Sequence, residues 1–146
     1  MREGIVLTPA FELEVDLGES MDLGVTRSGH RRVTPIIGGE LRSIGSGPEG
    51  EVLRARVLAG GADRQLVRPD GAIEIDARYT AETNEGAVLD IHAVGLRRPV
   101  RDGVYFRVSV RFECDRFSSA GLQDSLFIAD GVREQTRVRH LVYRVG

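Results

Sequence analysis

The segment Gly103–Glu113 alternates strictly between apolar and polar side chains. Its apolar positions are Phe106, Val108, Val110 and Phe112, and its polar positions are Tyr105, Arg107, Ser109 and Arg111. A period of two is that of a β-strand with one apolar face, whereas an amphipathic helix repeats every three to four residues. Helical periodicity is almost absent from the rest of the chain, which reads as short alternating runs between glycine-rich turns. The chain is therefore predicted to be all-β.

About eight to ten strands are expected in a sequential meander. The remaining runs are Phe11–Leu17, Arg31–Gly38, Glu51–Ala59, Arg64–Arg68, Ala72–Ala81, Ala87–Val94, Leu126–Ala129 and Thr136–Val145. An open sheet of this size would expose its edges, and closure removes them. We therefore predict a single antiparallel up-and-down β-barrel of the lipocalin (calycin) type, with a β-sandwich as the alternative.

The connections are predicted from turn residues. Pro69-Asp70-Gly71, Asn84-Glu85-Gly86 and Asp130-Gly131 indicate tight turns, the last of them as the centre of a closing hairpin. Residues 38–50 are predicted to be a loop and residues 18–29 a flexible segment. The only helical turn is expected at Ser118–Ser125.

Composition narrows the class of protein. The chain has 146 residues, which favours one domain over residues 1–146, and a net charge of −2, which argues against nucleic-acid binding. Its single cysteine, Cys114, excludes an internal disulfide. No segment approaches the roughly 18 apolar residues that cross a membrane, so a cytoplasmic location without membrane contact is expected. No cofactor motif or metal-ligand spacing is present, so neither a cofactor nor a metal is predicted.

Several short motifs follow one another in a specific order. They are VTPIIGG at residues 33–39, VLAGGADRQLVRPDG at 57–71, DARY at 76–79, VYFR at 104–107, RFE at 111–113 and LFI at 126–128. In this order they resemble the DUF3237 (UPF0311) family. The resemblance implies a small β-barrel of unassigned function. The chain departs from the family where Arg64-Gln65 replaces a usual Trp-Gln pair and Gly121-Leu122-Gln123 replaces Trp-Leu-Asn, so no particular ligand is carried over.

Three predicted strands carry polar faces that could converge in a barrel lumen. These faces hold Glu74, Asp76 and Arg78; Asp90 and His92; and Tyr105, Arg107, Ser109, Arg111 and Glu113. One parity of every strand in a barrel faces inward, and buried charges must be paired or bound to a ligand. The resemblance favours an inward position for Asp76 and Arg78, with Asp76–Arg107 and Arg78–Glu113 as natural pairs. The alternative is that the polar faces lie in solvent and the apolar faces inside.

Two functions remain open under the inward arrangement. The first is a cofactor-free cyclase, isomerase or hydratase with Asp76, Arg78 and Tyr105 as catalytic residues. Its ligand-binding residues would be Gln65, Arg68, His92, Arg107, Arg111 and Glu113. The second is a non-catalytic barrel that binds or carries the ligand, with a structural or interaction role as a third option. In each of the first two cases the ligand is a small organic molecule with an anionic or carbonyl group. A homodimer is also expected, because the apolar strip Phe106–Phe112 would then need a cover.

Overall fold

The computed structural model describes residues 4–45, 52–115 and 121–146, and these form ten antiparallel strands. The strands are β1 (Leu7–Leu17), β2 (Met21–Thr26), β3 (Gly29–Ser43), β4 (Arg54–Val57), β5 (Gly61–Val67), β6 (Ile73–Thr83), β7 (Val88–Val100), β8 (Gly103–Cys114), β9 (Leu126–Arg133) and β10 (Arg137–Val145). None of the described residues is helical, so none forms a helix that could span a bilayer.

The sheet closes on itself as an eight-stranded barrel. β1 pairs with β10 on one side and with β3 on the other, and the remaining order is β10, β9, β8, β7 and β6. β4 and β5 follow one another in the single position between β6 and β3. β1 and β2 likewise share the other edge of β3. The strand position on each side of β3 is thus shared by two successive strands. The predicted up-and-down barrel is confirmed.

A bulge in β3 allows this long strand to serve both halves of the barrel. Asp16 pairs with Gly38 and Leu17 with Ile36, which leaves Ile37 without a partner on β1. Gly39 has a positive φ of 135°, and a Cβ there would lie 2.0 Å from the carbonyl oxygen of Glu14. Gly38 and Gly39 were predicted to begin a loop over residues 38–50. That prediction is wrong up to Ser43, because they instead form a bulge within a continuing strand; residues 46–51 lie outside the described part.

The apolar parity of each strand fills the barrel. Phe106, Val108, Val110 and Phe112 are all buried. At the centre, the rings of Phe11, Phe112 and Phe127 have their centroids 5.3–5.8 Å apart in tilted and edge-on contacts. Burying each such side chain stabilises the fold by about 1.5–3 kcal/mol. The apolar strip therefore has its cover inside the barrel. A second subunit is therefore not needed to cover these four side chains, and the homodimer stays a prediction.

The turns after β5 and β6 are confirmed, and the one expected in β9 is wrong. Gly71 N donates to Arg68 O at 3.1 Å, and residues 84–86 connect β6 to β7. β9, by contrast, continues through Asp130 and Gly131 and ends at Arg133. Gly131 is required there for packing, because a Cβ would lie 2.8 Å from the ring of Phe106.

Two other local predictions are corrected. The segment 18–29 contains β2 and the start of β3, since its backbone pairs in register with residues 29–33. Of the helical turn predicted at 118–125, residues 121–125 form turns and bends without a helix, and 118–120 lie outside the described residues.

We expect Gly39→Ala to destabilise the protein by about 2 kcal/mol more than Gly86→Ala. Both glycines have positive φ, so both variants carry backbone strain, but a Cβ at Gly86 meets nothing within 4 Å. Urea unfolding of the two variants measures the difference. Equal losses would show that the approach of β1 to Gly39 contributes no constraint.

Candidate functional site

The polar faces predicted to line the lumen lie on the outside of the barrel. Asp76 and Arg78 are exposed, whereas Ile75, Ala77 and Tyr79 between and beside them are buried. The predicted inward orientation is therefore wrong for Asp76 and Arg78. The reason is that Ile75, Ala77 and Tyr79 lie beside the apolar inward positions of β7, and the opposite parity would expose all of them.

Most other predicted site residues share this outer surface. Tyr105, Arg107, Arg111 and Glu113 are exposed on β8, and His92 is half-buried on β7. The predicted partner of Asp76 was Arg107, but its carboxylate instead accepts a hydrogen bond from His92 Nε2 at 2.7 Å. The predicted Arg78–Glu113 pair is not aligned either, because Arg78 lies opposite His92 and Glu113 opposite Asp90.

Two cation–π contacts and a turn account for further predicted residues. The guanidinium groups of Arg98 and Arg107 lie 4.7 and 5.4 Å from the ring centroid of Tyr105. Arg68 pairs with Asp70 in the β5–β6 turn. These side chains stabilise the outer wall locally. The catalytic role predicted for Asp76, Arg78 and Tyr105 stays a prediction, but their positions place it outside the lumen.

Gln65 is the predicted residue that does face the lumen. It is 6% exposed and connects two charged neighbours. Its Oε1 accepts a hydrogen bond from Arg32 Nε at 2.7 Å, and its Nε2 donates to Asp63 Oδ2 at 2.8 Å. Strand pairing explains the arrangement, because Arg32 lies opposite Gln65 and Thr34 lies opposite Asp63. A polar layer therefore replaces the apolar core at this end of the barrel.

Three arginines converge above this layer, and we call Arg32, Arg97 and Arg133 the arginine cluster. Burial lowers the pKa of Arg97, and the positive charges of Arg133 and Arg32 lower it further. Arg133 is exposed at the end of β9, where partial desolvation lowers its pKa, with Arg32 as the next cause. Mutual repulsion of this kind requires the three guanidinium groups to lie near one another. β3, β7 and β9 thus direct positive charge to one place.

The arginine cluster lacks the ion pairs that several other arginines form. Arg42 donates to Glu12 and Glu14 at 2.7 and 3.2 Å, and Arg137 donates to Asp16 at 2.8 Å. No arginine of the cluster forms an ion pair with a carboxylate among the described residues. The nearby carboxyl that acts on both Arg97 and Arg133 is that of Asp63. The positive charge of this site is therefore only partly compensated.

Asp63 is itself held in an environment that opposes its ionisation. It is 8% exposed, and burial raises the pKa of its carboxyl group above the ordinary 3.8. Hydrogen bonds from Gln65 and from the backbone N–H of Asp76, the latter at 3.1 Å, favour the charged form without overcoming burial. The protonated carboxyl is a group that can donate a proton within the lumen.

Two further polar side chains lie on the inward face. The hydroxyl of Tyr79 is buried without a hydrogen-bond partner, and burial and the charge of Asp63 both raise its pKa. His140 is 9% exposed, and its Nδ1 lies 2.9 Å from the carbonyl oxygen of Asp130. No group of three or more potential metal ligands occurs in the described ranges.

Sequence reasoning missed the arginine cluster and Asp63, although a signal for them exists, whereas His140 was, with His92, a sequence candidate for proton transfer. Arg97 has the same parity as Ile91, Ala93 and Gly95 on β7, and His140 has that of Val142 on β10. A charged residue on the otherwise apolar parity of a strand must lie inside the barrel or at its mouth. Such a residue indicates an interior site more strongly than a wholly polar strand face does, because a polar face ordinarily lies in solvent.

Comparison with known proteins places the chain in a family. The model of a family described as protein of unknown function (DUF3237) matches residues 5–145. The chain belongs to the DUF3237 family. A UPF0311 protein of Rhodopseudomonas palustris is 33% identical over 149 residues, which covers 92% of this chain and 93% of that protein.

Solved structures share the DUF3237 barrel. A crystal structure from Rhodopseudomonas palustris, described as a conserved protein of unknown function, has a TM-score of 0.84 and 31% identity and covers both chains fully. A β-barrel-like protein from Acinetobacter baumannii has a TM-score of 0.84 and 28% identity, covering 100% of this chain and 99% of its own. An enzyme from Penicillium herquei has the same fold, with a TM-score of 0.70 and 14% identity over 98% of this chain and 94% of its own.

Asp63→Asn is expected to become stabilising relative to the wild type as the pH rises. The raised pKa means that the folded protein binds this proton more tightly than the unfolded chain. Stability from this group is therefore fully present at low pH and falls as the pH rises from about 4 through the raised pKa. The loss is about 1.4 kcal/mol for each tenfold difference in proton affinity between the folded and unfolded states. Asparagine keeps the shape but does not ionise.

The measurement is urea unfolding of both proteins from pH 3.5 to 8. Contributions from other groups, including His140, cancel in the difference between the two. A difference that is constant with pH, or that shifts in favour of the wild type as pH rises, would contradict a raised pKa for Asp63.

Proposed function

We propose that this DUF3237 protein binds a small organic anion at the arginine cluster and converts it by acid–base chemistry that uses no cofactor. The observation that carries the proposal is the convergence of three guanidinium groups beside a buried carboxyl that resists ionisation. Arg32 and Arg97 are partly buried and form no ion pair among the described residues, and such charge is costly in a protein unless a ligand compensates it. A carboxylate or enolate oxygen is the natural partner of an arginine fork.

The surroundings of the cluster favour an organic ligand over an inorganic ion. The guanidinium carbon of Arg97 lies 5.7 Å from the ring centroid of Phe106, and Ile73 lies opposite Arg97 on β6. An organic anion would place its charged end on the guanidinium groups and its carbon skeleton against this apolar wall. Sites that recognise small molecules typically combine such a wall with a few polar groups.

The same groups support proton transfer. Arginines stabilise negative charge that develops on an oxygen, as in an enolate. Asp63 in its neutral form would donate a hydrogen bond or a proton to that oxygen. Isomerisation, cyclisation and hydration of a carbonyl compound all pass through such charge development, so the proposal covers this class of reactions and does not choose among them.

A non-catalytic carrier is the second candidate, and the arginine cluster alone would be sufficient for it. The raised pKa of Asp63 favours the enzyme, because a carrier of anions gains nothing from a buried carboxyl group beside its ligand. The enzyme from Penicillium herquei shows that a barrel of this fold can support catalysis. At 14% identity, the likeness does not indicate which reaction this protein would catalyse.

We expect Arg97→Met to weaken binding of small carboxylates about 10- to 100-fold, as loss of a charge-assisted hydrogen bond does. Methionine retains much of the packing of the arginine stem but removes the charge. Isothermal titration with a panel of benzoate, malonate, pyruvate and acetoacetate measures the affinities. Arg78→Met on the outer wall is the matched control, and it should leave them unchanged.

The outcome also tests the outer-wall alternative. Equal weakening by Arg97→Met and Arg78→Met would indicate nonspecific attraction by total charge. Weakening by Arg78→Met alone would move the site to the outside of β6. Absence of binding by the wild-type protein across the panel would contradict the proposed function.

A further inference from the structure

His140 is a buried titratable side chain of the lumen that anion binding does not require. It lies on β10 with Leu13 of β1 on one side and Gly131 of β9 on the other. Burial lowers the pKa of its imidazole, and the backbone carbonyl and charge of Asp130 only partly oppose this. A neutral imidazole in such a place is available to accept a proton.

The contacts of the ring determine which nitrogen accepts the proton. A carbonyl oxygen can only accept a hydrogen bond, so the 2.9 Å contact with Asp130 O places the proton of the neutral ring on Nδ1. Nε2 then carries the lone pair, and none of the described residues hydrogen-bonds to it. The ring of Phe106 meets the imidazole edge-on, with centroids 5.5 Å apart and an interplanar angle of 82°. These two contacts hold the orientation of the ring.

Phe106 also connects His140 to the arginine cluster. Arg97 lies opposite Phe106 across β7 and β8, and its guanidinium carbon is 5.7 Å from the ring centroid. On the other side, Gly131 lies opposite His140 and leaves room for the ring, since a Cβ there would be 2.8 Å from Phe106. The base and the guanidinium group thus lie against the same aromatic ring. A molecule held by Arg97 would therefore be separated from His140 by no more than the residues around this one ring.

We propose that His140 is the general base of this site and that its substrate is an enolisable oxo acid. The inference rests on the proposed function, because the arginine cluster must hold the substrate. Nε2 takes a proton from the carbon next to the carbonyl group. The electrons of that C–H bond form a C=C bond, and the carbonyl π electrons move to the oxygen. The arginine cluster and, in its protonated form, Asp63 stabilise the resulting enolate.

The step is completed without another reactant. The imidazolium returns its proton to the same carbon or to a conjugated carbon, and the enolate oxygen regains its double bond. The first outcome exchanges a hydrogen and the second isomerises the substrate. A base of lowered pKa and an acid of raised pKa on the same inward face would divide the two roles between them.

The first experiment uses the wild-type protein and needs no variant. Nitrogen-15 NMR of the histidine rings should show His140 protonated on Nδ1 and unprotonated on Nε2 at pH 7. Saturating pyruvate or acetoacetate should raise the pKa of His140, because an anion nearby stabilises the imidazolium. A proton on Nε2, or a His140 signal unaffected by an anion whose binding depends on Arg97, would overturn the assignment.

The second experiment measures exchange of carbon-bound hydrogens of pyruvate, 2-oxobutyrate and acetoacetate for deuterium in heavy water. The wild type should accelerate exchange above the buffer rate, and His140→Gln should reduce the enzymatic rate at least 100-fold. His92→Gln on the outer wall is the control and should retain the full rate. Affinity for the oxo acid should remain within a few-fold in both variants.

The outcomes separate the two proposals. Binding that depends on Arg97, with exchange intact in His140→Gln or absent from the wild type, would overturn the role of His140 and leave anion binding in place. Failure of the wild type to bind any of the three oxo acids would overturn the oxo-acid substrate. If other carboxylates also fail to bind, the proposed function is overturned with it.

Discussion

Closure of the sheet through β1 is the constraint on which the rest of the structure depends. Because β1 pairs with both β10 and β3, the sheet is closed and surrounds one interior. On each strand, alternate side chains point into that interior and the others point to solvent. On the long strands the apolar side chains point into the interior, since burying one large apolar side chain stabilises the fold by about 1.5–3 kcal/mol. A few charged residues share that parity, and they gather at the end of the lumen formed by β3, β5, β7 and β9, where Arg133 remains exposed.

These inward charges divide into groups with different electrostatic tasks. Arg32, Arg97 and Arg133 supply positive charge without ion-pair partners among the described residues. Asp63 and His140 are pushed by burial towards their neutral forms, one as an acid and the other as a base. Low polarity therefore has opposite chemical consequences for a carboxyl and an imidazole. A single physical cause, desolvation by the barrel wall, raises the pKa of one group and lowers that of the other.

The fold could be predicted from the sequence, and the site could not be predicted in the same way. Strict alternation in β8 and turn residues such as 69–71 specify antiparallel strands, and closure follows from their number. Asp76 and Arg78 were expected inside because a family motif contains them, but the energy of burying Ile75 and Tyr79 decides the parity of β6. Gln65 does lie inside the barrel, and its predicted role in ligand binding stays a prediction. Gly39 and Gly131 look like turn residues in sequence, and only three-dimensional contacts show that neighbouring groups exclude a side chain at each.

The interrupted pairing of β3 has a consequence for how this family can diversify. Beyond the bulge, residues 38–43 join β1 and β4 over the apolar core, whereas residues 29–33 join β2 and β5 beside the arginine cluster. β2 contains no buried residue. Substitutions in β2 can therefore accumulate without a large loss of folding free energy while they alter the surface next to the mouth. The two halves of β3 are thus under different constraints, since residues 38–43 lie against the apolar core and residues 29–33 pair with a strand that tolerates sequence change.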